Sequence, residues 1–489
     1  MPYLDQGEFY SEFGNFDVYI TLPANYVVGA TGDLNNKTEL NWLDSIAIVT
    51  SAIDSFDFNM DIPESSPQFK TLHYSQKNVH DFAWFADKRY HVLKGQVVLP
   101  NSKDTVTTWA MFTNNEAEIW KNSIQYLNDA IYYYSSWNGD YPYKQVTAVD
   151  GTFGSGTDME YPNVTVIGNY YDDIGLDNVI THEVGHNWFF GILGSNERDH
   201  PWMDEGINSF NEFRYMQLKY PTLNLFYDTT NSRWLKLINE GENGFEEFSF
   251  LGYLLNARQN KDQPIELESS QYTAYNYGAI VYGKTALMFK YLQQYLGEEL
   301  FDKCMHQYYE TWKFKHPTPQ DLKTIFESNT NKNLDWFFED IISTTKTIDY
   351  KLVKLKNGKV KIKNKGQVSS PILVSSWKKD SLLSEKWIEG FEIDTTISIE
   401  HPESNCIKID PYYSIPEVNR SNNTIRNYAI SKKIEPLQLK LGAALDDPAR
   451  TELFYLPLAG YNTTDKLTFG LLFYNNLIPQ KPFEWALCP

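Results

Sequence analysis

The pentapeptide His182-Glu183-Val184-Gly185-His186 constrains this chain more than any other stretch, because imidazoles at i and i+4 share one face of a helix. They lie about one turn apart there, as two adjacent corners of a tetrahedral zinc site require. Glu183 can lean toward an open coordination position and take a proton from an attacking water. Nineteen positions after His186, within Trp202-Met203-Asp204-Glu205-Gly206, Glu205 is the natural third ligand. Two histidines and one carboxylate leave a fourth position open, which catalytic zinc needs and structural zinc avoids. Length and apolar spacing predict a helix from Asp177 to Leu193 and a second from about Asp204 to about Tyr220. Asp204 and Asn208 are near enough in sequence to support the ligating imidazoles.

Around this centre the pattern changes along the chain. Phe16, Val18, Ile20 and Leu22 alternate with polar neighbours, so the first hundred or so residues read as strands, with another from Tyr90 to Leu99. After Thr113 the period becomes helical through Trp120, Ile124, Leu127, Ile131 and Tyr134. Asn163 to Ile167 is strand-like. Ala279 to about Ile341 is mostly helical, broken at His316-Pro317-Thr318-Pro319. Lys351 to Lys356 and Lys359 to Lys363 flank Asn357-Gly358, a hairpin signal because both turn positions need positive φ. A small β domain is expected to end near Pro416, with Arg420 to Thr424 as a linker. Leu467, Phe469, Leu471 and Phe473 alternate as a strand, either of an ordinary β domain or of a membrane β-barrel begun in a longer chain. The expected fold is multidomain α+β: a β-rich domain over 1–112, a mostly helical catalytic domain over 113–347, a small β domain over 348–416, and a strand-like segment over 417–489.

Composition narrows the partners. A formal net charge of -20 argues against nucleic acid, whose phosphates need a basic face, and against adhesion to anionic lipid by charge alone. Cys304, Cys406 and Cys488 are scattered and odd in number, with no C-x-x-C pair for a redox or zinc-ribbon site and no indication of a disulfide framework. No apolar run is long enough for a membrane helix, so membrane association is expected only through flanking sequence. His200 and His316 are expected in structural or solvent-facing roles.

The stretch His182 to Asn208, with His186-Asn187-Trp188-Phe189 and Trp202-Met203-Asp204-Glu205-Gly206, resembles the gluzincin aminopeptidases of the alanyl aminopeptidase and leukotriene hydrolase type. The similarity covers roughly residues 80 to 345. It implies a thermolysin-like catalytic domain, one zinc ion, and peptide substrates with a free N-terminus. It also implies a glutamate on an edge strand that binds the substrate ammonium, in a G-x-M-E-N motif. The match is Thr157-Asp158-Met159-Glu160-Tyr161, so Glu160 takes the amine-binding role, with Met159 and Asp158 beside it. Thr157, Asp158 and Tyr161 depart from the motif; Asp158 could add a second anion or narrow the first subsite. The family's Y-x-K-G pattern points to Tyr282, in Tyr282-Gly283-Lys284-Thr285, as the oxyanion-stabilising phenol, with Tyr275 and Tyr277 as neighbouring candidates. An inserted loop is expected around Asn239 to Gln263. Two rival readings stand beside the aminopeptidase: an endopeptidase of other specificity on the same zinc site, and a non-catalytic peptide-binding scaffold.

Overall fold

In the computed structural model of the chain, residues 6–7, 9–151, 154, 156–223, 246–427, 434–442, 446–464, 466–476, 478–481 and 483–488 are described. Two compact units emerge. The first joins 1–219, 268–271 and 298–332; the second joins 220–267, 272–297 and 333–489. The α+β class is as expected, with strands first, helices in the middle and strands again at the end.

The first unit opens on β1 (Gly14–Pro23), β2 (Val27–Ala30) and β3 (Asp33–Leu34), followed by β4 (Phe69–Val79) and β5 (Trp84–Asp87). β1 pairs antiparallel with β4, and the alternation that predicts it buries Ile20 and Leu22 while Tyr19 and Thr21 stay exposed. Helix α1 (Lys37–Ser51) was not expected in this strand-rich stretch. It buries Leu43, Ala47 and Thr50 on one stripe but leaves Ile48 and Val49 exposed, and that mixture hides the helical period. Leu43 and Ala47 pack on Trp109, Val149 and Val166. Burying one such leucine contributes about 2 kcal/mol.

These core partners belong to the sheet that carries the site. β6 (His91–Val98), β7 (Thr105–Phe112), β8 (Gln145–Asp150) and β9 (Val164–Ile167) are neighbours in that order, with β7, β8 and β9 parallel. Every residue of β8 and β9 is buried, as strands covered on both faces must be. A reciprocal backbone pair between Met159 and Val166, 3.0 Å each way, adds an antiparallel edge next to β9. Helix α2 (Ser123–Asn138) fulfils the expected spacing at Leu127, Ile131 and Tyr134, while Trp120 falls on a separate turn before it.

Two more helices follow, the first of them packed on β9. Helix α3 spans Asp173–Gly185, and α4 spans Ile207–Lys219 after a π-helical turn at Trp202–Gly206. The expected helix ran on to Leu193. Its apolar continuation through Trp188, Phe189, Phe190 and Ile192 is fully buried but lies in turns, because burial alone does not separate a helix from a packed loop. At its start, the Asp172 side chain caps α3 by accepting from Gly175 N at 2.8 Å. Helices Glu298–Trp312 and Pro319–Thr330 complete the unit. The expected break at Thr318 is a capping box, with Thr318 and Asp321 satisfying each other.

The second unit contains α5 (Glu247–Ala257), a π-helical segment at Tyr277–Lys284 and α6 (Thr285–Leu296). Of the expected loop at Asn239 to Gln263, residues 239–245 lie outside the described residues, and most of the rest is α5. Strands follow: β10 (Tyr350–Lys356), β11 (Lys359–Asn364), β12 (Ile372–Lys378), β13 (Ser381–Ile388), β14 (Asp394–Ser398), β15 (Cys406–Ile409) and β16 (Thr424–Arg426). The β10–β11 hairpin turns on Asn357 and Gly358, with φ of 52° and 67°, as their sequence demands. The expected linker at Arg420 to Thr424 is instead a short 3-10 turn running into β16. The Arg420 guanidinium lies 3.6 Å over the Phe250 ring, and Asn422 donates to Asp349 at 2.7 Å, so this polar stretch is tied down by contacts its composition does not announce. A last sheet has the order β17 (Leu437–Leu441), β18 (Thr451–Asn462), β19 (Lys466–Tyr474) and β20 (Ala486–Leu487). Among the described residues no helix is long and apolar enough to cross a membrane.

Candidate active site

The last turn of α3 carries His182, Glu183 and, as its C-cap residue, His186. Glu205 comes from the π-helical turn just before α4, which packs on α3. The close approach depends on Gly185: a Cβ there would lie 2.1 Å from Asn208 Oδ1 and 2.5 Å from the Tyr134 ring. Asn208 in turn donates to His182 O at 2.8 Å and accepts from the Tyr134 hydroxyl at 2.8 Å, pinning α4 and α2 to the motif helix. Asn208 thus supports the backbone of the motif, and the imidazoles are held by others.

Three side-chain atoms converge. His182 Nε2 and His186 Nε2 are 3.1 Å apart, and each lies 3.3 and 3.2 Å, respectively, from Glu205 Oε2. A tetrahedral ion with ligand distances of about 2.0 Å has ligand–ligand edges of about 3.3 Å, so this triangle fits zinc. The remaining ring nitrogens are occupied. His182 Nδ1 donates to Glu212 at 2.9 Å, and His186 Nδ1 donates to Asp204 at 2.6 Å and to the Phe189 carbonyl at 2.8 Å. With both Nδ1 atoms donating, both Nε2 lone pairs face Glu205, and a cation is the group that three converging lone pairs accommodate.

The electrostatics agree. Burial works against charge on Glu205, but the two imidazoles outweigh it and hold the carboxyl far below its ordinary range. Burial lowers His182 as well, yet Glu205 and Glu212 raise it to about 10. Without a cation the carboxylates thus draw protons onto the imidazoles. Glu183 is 6% exposed, and its Oε2 has no hydrogen-bond partner among the described residues. Burial lifts its carboxyl to about 8 against the pull of both imidazoles.

Glu160 follows Met159 on the sheet edge and is buried, with an oxygen in the same small cluster as His186 and Asp204. Asn187 fixes this edge relative to α3: its Oδ1 accepts from Asn163 N at 3.1 Å, and its Nδ2 donates to Val184 O at 2.9 Å. Asp158 already accepts from Gly168 N at 2.6 Å and from the Tyr170 hydroxyl at 2.7 Å. The Tyr161 ring packs edge-on against Phe9 at 6.0 Å, within an aromatic cluster that includes Phe85. His316 Nδ1 meets the Gly194 carbonyl at 2.7 Å. Tyr282 belongs to the second unit, half-buried on the π-helical segment 5.8 Å from Tyr277. Of its competitors, Tyr275 donates its hydroxyl to Gly252 O at 3.0 Å, and Tyr277 is buried.

Two acids escaped the sequence reading. Glu212 stands at i+7 from Glu205, a helical spacing that could have revealed it. Glu197, 2% exposed and accepting from Phe9 N at 2.8 Å, is held well above its ordinary pKa by burial and by the charges of Asp204, Glu160 and Glu205. Nothing in its local sequence marks it.

A helix with histidines at i and i+4, joined by a glutamate from a following helical turn, gathers the three donor atoms that could hold one metal ion. Residues 131–341, less than half of the chain, match the peptidase family M1 domain. It is 26% identical over 196 residues to aminopeptidase M1-A of Oryza sativa subsp. japonica, covering 39% of this chain and 20% of that protein. It is 26% identical over 159 residues to the puromycin-sensitive aminopeptidase of Caenorhabditis elegans, covering 32% and 15%. The matched stretch is thus a fifth or less of these relatives' length. The fold is similar to that of Legionella pneumophila aminopeptidase A, with a TM-score of 0.60 at 14% identity, over 83% of this chain and 44% of that one.

Proposed function

We propose that this chain is a zinc-dependent aminopeptidase that removes N-terminal residues from peptides. The observation that carries this reading is the unpartnered, buried Oε2 of Glu183 beside three converging donor atoms. In this reading His182, His186 and Glu205 hold one zinc ion, which supplies Lewis acidity toward water and the scissile carbonyl when bound. Glu183 takes the proton of the attacking water and returns it to the leaving amine. Glu160 pairs with the substrate ammonium, which offsets the cost of its buried charge and sets the distance to the scissile bond. Met159 holds that glutamate on the sheet edge. Asp158, both of whose oxygens have donors, shapes the first subsite. Tyr282 donates to the oxyanion. The divisions at 112, 347 and 416 belong to the same reading, with the peptidase chemistry in the second part.

Aminoacyl-anilides assayed beside N-acetylated peptides, with metal analysis of the purified chain, test the proposal. Cleavage of free-amine substrates with one zinc per chain is expected. Equal cleavage of blocked peptides would instead establish the endopeptidase reading.

A further inference from the structure

The last sheet presents an apolar face that the peptidase reading does not use. β17 runs parallel to β18, β18 antiparallel to β19, and β19 antiparallel to β20. Residues directly opposite in register share a face. Leu441, Tyr455, Phe473 and Leu487 therefore form one row on one side. Pro457 with Leu471, Ala459 with Phe469, and Tyr461 with Leu467 form the next three rows of that side. None of these positions is charged, and exposure reaches 75% at Phe469 and 70% at Tyr461. The opposite side is mixed: it carries Gln438, Lys440, Glu452, Lys466 and Thr468, with Lys440 and Glu452 buried, beside Phe454, Leu456, Leu458, Leu472 and Tyr474.

We propose that this apolar side rests against lipid hydrocarbon. One side apolar, with every charged residue of the paired strands confined to the mixed opposite side, is the pattern of a membrane β-sheet and the reverse of a water-facing one. The dimensions agree as well. β18 has 12 residues and β19 has 9, near the roughly 9–11 that a tilted spanning strand needs. Trp485 lies opposite Asn475, two residues before Leu487, so it lies at one end of the face, while Tyr461 and Leu467 lie at the other. From Leu467 to Asn475 the strand covers about 26 Å at about 3.3 Å per residue, close to the roughly 25 Å apolar band of membrane barrels. Aromatic residues at both limits are the expected interfacial anchors. The net charge of -20 means that attraction to anionic headgroups does not drive the contact.

Flotation of the whole chain with phosphatidylcholine vesicles, at low and high salt, tests the proposal. The chain is expected to float with the vesicles at both salt levels. Phe469→Lys, at mid-face, should reduce the bound fraction roughly tenfold or more. Thr468→Lys, adjacent but on the other side, should leave it unchanged, with circular dichroism verifying that both variants fold. Release by salt, or equal loss in the two variants, overturns the proposal. So does a chain that stays out of vesicles and forms a dimer separated by Phe469→Lys, since the face would then cover a second copy of itself.

Discussion

Glu212 Oε2 lies 2.9 Å from His182 Nδ1, and this pair decides which ring nitrogen remains for a metal. The carboxylate keeps the proton on Nδ1, so the Nε2 lone pair points at Glu205. Glu212→Gln keeps the shape but removes the charge, and its amide can present a donor to Nδ1. Zinc affinity should fall about 10- to 100-fold, as for other supports of ligating histidines. Competition with a chromophoric chelator measures it; an unchanged affinity would show that Glu212 is only packing.

Glu183→Gln separates chemistry from metal binding. The side chain donates no atom to the triangle of His182, His186 and Glu205, so zinc content should remain one per chain. Loss of the proton acceptor should lower kcat by a factor of about 10² to 10⁴. A variant with full activity would remove Glu183 from the mechanism.

The three side chains that converge follow from local periodicity: His182 and His186 are four residues apart, and Glu205 lies in the π-helical turn that leads into the next helix. What surrounds them was less legible. Glu197 reaches the site from a turn and Phe9 covers it from a distant segment, contacts that no spacing rule encodes. The end of α3 was misplaced for a related reason, since the buried run from Trp188 to Ile192 is apolar whether coiled or not. Arg420 to Thr424 reads as a linker because its side chains are polar, while its partners Phe250 and Asp349 are remote in sequence. The β10–β11 hairpin could be read because Asn357-Gly358 carries its own conformational preference.

Gly185→Ala tests the packing that brings α3 to α4. The added methyl would meet Asn208 Oδ1 at 2.1 Å, too close for any contact, and Tyr134 leaves no retreat on the other side. The helices must part or Asn208 must release His182 O. A loss of about 1–3 kcal/mol in stability is expected, together with weaker zinc binding because His186 is the next residue. Urea denaturation with and without zinc measures both; a variant as stable as the parent would show that the helices can shift freely.

His80 should give the chain a stability that falls in mild acid. The ring is 7% exposed, lies 4.3 Å from Phe190 and 6.1 Å from Phe9, and neither nitrogen has a hydrogen-bond partner among the described residues. Burial, reinforced by His316, lowers its pKa to about 4. In the unfolded chain the ordinary value is about 6.5, so between these limits the unfolded state binds a proton that the native state refuses. Stability therefore rises with pH across this window. The contribution is complete above about pH 6.5 and is lost as pH falls toward 4, amounting to roughly 3 kcal/mol. Other groups titrate in the same range, so the informative quantity is the difference between the parent and His80→Phe, which fills the aromatic site without a titratable atom. As pH is lowered from 7 to 4 the parent's urea midpoint should fall relative to that of the variant, whose curve is flatter. Parallel curves would mean that His80 finds a way to protonate in the folded chain.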